Sequence, residues 1–95
     1  MKTDNIVEIG IDNIERLYIK PAKESFTMIF LSASEVHWDN DNCFLYSPKP
    51  REWSYFDWYK HIISTMQEYG CMLQLTGETK WVNIPEELKN NILRF

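Results

Sequence analysis

Glycine is scarce in this chain, 3 in 95 residues, and Gly10, Gly70 and Gly77 are too scattered to build a loop that cradles phosphate. Cysteine is scarcer still: Cys43 and Cys71 could form one disulfide at most, the weaker reading for a chain expected in a reducing compartment. The two histidines, His37 and His61, have no metal-ligand spacing, so neither a metal nor any other cofactor is expected. The longest uninterrupted apolar run is Met28–Leu31, far short of the roughly 20 residues that cross a bilayer. Met1-Lys2-Thr3-Asp4-Asn5 lacks the apolar core of a signal peptide, so a cytoplasmic location with reduced thiols is expected and no membrane partner. Positive charge is also short. Ten basic residues against 14 acidic give a formal charge of −4, which argues against a nucleic-acid partner, although Lys49 and Arg51 lie close together.

What is present is aromatic and globular in character. Aromatic residues make up 15% of the chain, with four tryptophans, and 44% hydrophobic against 25% charged content rules against disorder. At this length a single domain, 1–95, is expected. Trp53–Gly70 is the most strongly periodic stretch. Tyr55, Trp58, Tyr59, Ile62, Ile63, Met66 and Tyr69 recur at three- and four-residue spacing and predict one apolar helix face. Asp57, Lys60, His61, Ser64, Gln67 and Glu68 fill the other face, with Asp57 and His61 spaced as a side-chain pair. Ser54 and Asp57 have the spacing of a capping box, Trp53 and Trp58 that of a hydrophobic staple, and Gly70 closes the helix.

Strands are predicted before this helix. Ile6–Ile11 alternates, with Val7, Ile9 and Ile11 on one side, and Leu17–Ile19 resumes the pattern after the Asp12-Asn13 turn. Phe26–Leu31, apolar on both sides, predicts a central third strand. Val36–Trp38 and Cys43–Tyr46 flank the turn Asp39-Asn40-Asp41-Asn42, and Cys43 and Cys71 are expected as small buried residues in strands. After the helix come a strand Cys71–Thr76, a turn at Gly77, a short strand at Trp81-Val82, and a closing helix from Pro85 with Leu88, Ile92 and Leu93 on its apolar edge. This order predicts an α+β fold: a mainly antiparallel sheet of about five to six strands, one long helix across one face, and a short C-terminal helix.

Two constellations invite a functional reading. Glu35, His37 and Asp39 alternate opposite Val36 and Trp38, so His37 and Asp39 are the candidates for a general base and its partner. The plainer reading, a solvated strand face, is preferred because a lone histidine seldom makes a site. The stretch Tyr46–Trp53 is more informative. Its alternate prolines stiffen a segment that presents Lys49 and Arg51 between aromatics, and arginine and tryptophan dominate binding hot spots. Tyr46, Lys49, Arg51 and Trp53 are therefore the candidate binding residues, with Trp81 as an extension of the patch. The competing account makes the loop structural, with Trp53 as the helix staple.

The runs Val36-His37-Trp38-Asp39 and Leu45–Tyr55, with Trp58, Glu68-Tyr69-Gly70, Thr79 and Trp81, carry a further indication. This pattern, over about the C-terminal two-thirds of the chain, resembles small uncharacterised bacterial proteins, some of which travel as mobile integron gene cassettes. The resemblance transfers no active site. It implies an accessory bacterial protein with an adaptive or defensive role such as ligand binding, modification or toxin neutralisation. Together with the missing catalytic motifs, it leads to the expectation of a non-enzymatic binding protein that contacts a protein partner or a second copy of itself. The alternative is a small enzyme or small-molecule binder with His37, Asp39 and Arg51 around an aromatic pocket.

Overall fold

A computed structural model describes residues 1–95. Its strands are β1 (Lys2–Ile11), β2 (Leu17–Pro21), β3 (His37–Asp39), β4 (Phe44–Tyr46), β5 (Cys71–Gln74) and β6 (Lys80–Val82). Its helices are α1 (Tyr55–Glu68) and α2 (Glu86–Arg94), with a single 3-10 turn at Ile29–Ser32. The sheet runs β3-β4-β2-β1-β5, and β6 also pairs with β1. The pairs β1/β2, β2/β4 and β3/β4 are antiparallel, whereas β5 and β6 run parallel to β1. The fold is α+β, with six strands, one long helix and a short C-terminal helix.

β1 organises the sheet, and a bulge lets it do so. Ile6 pairs with Pro21 and Glu8 with Lys20, leaving Val7 as the extra residue. An extra residue inverts the alternation beyond it. Asp4 and Ile6 therefore face the core on one side of the bulge and Ile9 on the other, while Val7 turns outward. The expected regular alternation from Val7 is corrected at that residue. On its other edge β1 pairs first with β5 and then with β6. Thr79 spans the interval, donating from Oγ1 to the Ile6 carbonyl (2.6 Å) and accepting from the Thr76 N–H (3.0 Å).

The predicted third strand does not form. The Asp4 carboxylate accepts the backbone N–H groups of Lys23 and Glu24 and turns the chain away from the ladder after β2. Bonds from Ile29 N to Phe26 O and from Leu31 N to Met28 O then wind the segment into a short turn, so four strands precede α1, not five. Ile29 enters the core and Phe26 packs edge-on against Trp38, while Met28, Phe30 and Leu31 stay exposed. Glu35, at φ 65°, precedes β3 and is not part of a strand face. Cys43 is another correction. It closes the Asp39–Cys43 turn, its N–H donating to the Asp39 carbonyl, and its left-handed φ of 57° then redirects the chain into β4 with the side chain exposed. Cys71 is buried in β5 as expected, and burial pushes its thiol pKa up.

α1 matches its sequence signature. Asp57 N donates to Ser54 Oγ and Ser54 N to Asp57 Oδ2, both at 3.1 Å, which completes the capping box. The Trp53 and Trp58 rings lie 4.8 Å apart as the staple. Gly70 sits at φ 82° beyond the last turn. Trp58, Tyr59, Ile62, Ile63 and Met66 enter the core beside Ile6, Ile9, Leu17, Ile19 and Leu45, but Tyr69 stays exposed. In α2, Leu88 and Ile92 are buried and Leu93 points outward. No helix is long and apolar enough to cross a membrane.

Candidate functional site

The proline loop between β4 and α1 is anchored at both ends. Ser47 is buried against β2: its N–H donates to the Leu17 carbonyl, its Oγ accepts the Leu17 N–H (3.2 Å), and its hydroxyl donates to the Pro48 carbonyl. Lys49 forms an ion pair with Glu15 in the β1–β2 turn, which raises the lysine pKa. Tyr55 donates its hydroxyl to the Glu15 carbonyl (3.0 Å). Prolines 48 and 50 hold the backbone between these anchors extended. The loop folds back on the start of α1 and encloses a cleft of about 390 Å³, lined by Glu35, Pro48, Lys49, Arg51, Glu52, Trp53 and Trp58.

His61 supports this cleft from behind. Its Nε2 lies 2.8 Å from the Ser34 carbonyl oxygen, which makes Nε2 the protonated, donating nitrogen. Its ring meets Trp53 and Trp58 edge-on, at 5.1 and 5.6 Å. Ser34 precedes Glu35, so the contact ties α1 to the segment that carries a cleft carboxylate. The expected Asp57–His61 pair does not form, because Asp57 caps the helix and approaches Lys60 at 3.7 Å. Sequence reading missed His61 as part of the site. Its position three residues after Trp58, on the same flank of α1, was the one available signal.

Of the five candidate binding residues, Lys49, Arg51 and Trp53 come together on the cleft, and Arg51 makes no intramolecular ion pair. Tyr46 and Trp81 lie elsewhere. Leu45 is buried, so its neighbour Tyr46 faces the other side of the sheet, where the Arg16 guanidinium covers its ring at 4.2 Å. Trp81 pairs with Ile9 on the core side, with Lys89 Nζ 5.2 Å above its ring.

His37 and Asp39 also lie away from the cleft. His37 is exposed and packs against Tyr46 at 5.2 Å. The Asp39 carboxylate accepts the Asn42 side-chain N–H (3.0 Å) and the backbone N–H groups of Asn42 and Asp41. These bonds, the Asn42 amide first among them, hold its pKa below the ordinary value. Its acceptor sites are thus committed to the turn. No group of three or more His, Cys, Asp or Glu side chains is arranged to hold a metal. The cleft offers ring faces, two carboxylates and one unpaired guanidinium, a set suited to recognition.

The comparisons with known proteins point the same way as the sequence pattern. The family model of Integron Cassette Protein Hfx_Cass5 matches residues 4–79. The solved structure of Integron Cassette Protein Hfx_Cass5, from the mobile metagenome of North West Arm Sewage Outfall, is 37% identical to this chain, with a TM-score of 0.53. The match covers 99% of this chain and 95% of that one. No curated protein sequence matches. The chain belongs to the Hfx_Cass5 family of integron cassette proteins.

Proposed function

We propose that this protein is a non-enzymatic binding protein, an accessory bacterial protein acting in the cytoplasm, whose contact surface is the cleft between the proline loop and α1. The observation that carries this reading is the convergence of Arg51, Glu52 and Trp53, on a loop anchored at both ends, with Trp58 of α1 and with Glu35. An anchored loop binds with little loss of conformational freedom. The carboxylates and the overall charge of −4 suit a partner with a basic surface, as in toxin neutralisation, through steering and pairing. Trp53 offers an exposed ring to an aliphatic or cationic side chain, and the Arg51 guanidinium reaches a partner carbonyl or carboxylate.

Self-association is the second reading, favoured by the exposed side chains of Met28, Phe30 and Leu31. One experiment addresses both. Tagged wild type and the Arg51→Ala/Trp53→Ala variant, each mixed with untagged chain, are used to capture protein from a bacterial lysate. Capture of a basic protein by the wild type, weakened at least about tenfold in the variant, is the expected result. Equal capture by both removes the cleft as the surface. Recovery of only the untagged chain favours self-association.

A further inference from the structure

The sheet face turned away from α1 carries a second assembly that shares no residue with the cleft. Gly10, Tyr18, Tyr46 and His37 are successive register partners across β1, β2, β4 and β3, so they occupy one row on one face. Gly10 sets the geometry. A Cβ there would lie 2.5 Å from the Tyr18 hydroxyl oxygen, so only glycine lets the Tyr18 ring lie down across β1. In that position Tyr18 donates its hydroxyl to Glu8 Oε2 at 2.6 Å, and its ring stacks on Phe44 with centroids 4.6 Å apart. A hollow of about 360 Å³ opens beside these two rings, bounded by the β1–β2 turn, by Asn42 in the β3–β4 turn and by Asn83 beyond β6.

The charge and hydrogen-bonding character of the hollow narrow the choice of ligand. Its charged side chains are Glu8, Asp12, Arg16 and Lys20, two of each sign. Asp12 and Arg16 are joined at 2.7 Å, and Asp12 also accepts the Ile14 and Arg16 backbone N–H groups. With the signs balanced, the lining itself carries no net charge that would select an anion or a cation. The remaining polar groups are the carboxamides of Asn13, Asn42 and Asn83, each with donor and acceptor atoms. Asn42 gives its amide N–H to Asp39, and Asn83 gives a long one (3.4 Å) to the Ile11 carbonyl, which leaves both carbonyl oxygens as acceptors.

We propose that this hollow binds a neutral saccharide. A pyranose has a face of C–H groups that packs on an aromatic ring and a rim of hydroxyls that require both donors and acceptors. The half-buried Phe44 ring, backed by the nearly buried Tyr18, and the three carboxamides match those needs, and the balanced charge matches a ligand with none. A nucleic-acid strand would need an excess of basic residues that this face lacks.

The test is an NMR titration of the 15N-labelled protein with glucose, galactose, mannose, N-acetylglucosamine, cellobiose and lactose at millimolar concentrations. Benzoate, inorganic phosphate and an oligothymidylate serve as comparison probes. Saturable shifts at the Lys20, Phe44 and Asn83 amides are expected with at least one sugar. Phe44→Ala should weaken that binding about tenfold or more, and Phe44→Tyr, which keeps the ring, should retain it. Asn13→Ala, in an exposed turn, should weaken it severalfold and decides the matter if Phe44→Ala fails to fold. The proposal is overturned if no sugar gives saturable shifts, if the shifts fall on the cleft instead, if only a comparison probe binds, or if the ring and carboxamide variants bind as the wild type does.

Discussion

Asp4 shows how much of this structure depends on single side chains acting at a distance. Its carboxylate is nearly buried and accepts the N–H groups of Asn5, Lys23 and Glu24. Burial, the largest influence, raises its pKa, but the three donors together outweigh burial and leave the value lowered; Asp12 is lowered through its bonds to Arg16 and Ile14 in the same way. A carboxylate with a depressed folded-state pKa adds stability at pH values above its unfolded value near 3.9, and that stability is lost as pH falls through the folded value. Stability should therefore hold from about pH 5 upward and fall below about pH 4. Asp4→Asn should lower stability at pH 7 by about 1–3 kcal/mol and flatten the acid limb, measured by urea unfolding across pH. The same distance dependence limited what could be read of the site. Lys49, Arg51 and Trp53 were legible because five residues of chain already place them together. His61 and Glu35 were not, since the contact that joins them runs through Ser34, 27 positions from His61. Tyr46 groups with the loop in sequence, but its orientation depends on which neighbour enters the core, and that choice falls to Leu45.

At the scale of the element, local rules succeeded where the causes are local. Both caps, the staple and the buried face of α1 were legible because each depends on residues within a few positions of one another. Ser54→Ala should cost about 1 kcal/mol in urea unfolding and Ser54→Gly only a few tenths, which separates loss of the cap bond from a change in backbone preference. The segment Phe26–Leu31 failed for the converse reason. A short apolar run has the same periodicity in a buried strand and in a turn, and the Asp4 carboxylate that decides between them lies more than 20 residues earlier. The β1 bulge was hidden similarly, because Val7 is the extra residue only in relation to the register of β2.

For the molecule as a whole, a single cluster of 16 buried residues draws on strands and helices from both halves of the chain. Such a core should come apart cooperatively. Far-UV circular dichroism and tryptophan fluorescence should give coincident urea transitions, since Trp58 sits inside the cluster and Trp38 and Trp81 pack against it. A fluorescence change that precedes loss of helix signal would mean that part of the core melts separately.

The arrangement of β1 also bears on how the protein is made. Its first half is completed by Cys71–Gln74 and its second by Lys80–Val82, and Thr79 bonds Ile6 across 73 positions. β1 therefore leaves the ribosome well before its partners on this edge, which stays unpaired until residue 82 has emerged. At about 5–20 residues per second that interval lasts several seconds, during which Ile6 and Ile9 are without their final neighbours. Contacts this remote in sequence also slow the closing step, toward the millisecond-to-second range typical of folds dominated by non-local pairing. Until then the free edge of β1 is open to pairing with other chains, a hazard that a helical bundle of equal length, closed by local contacts, does not share.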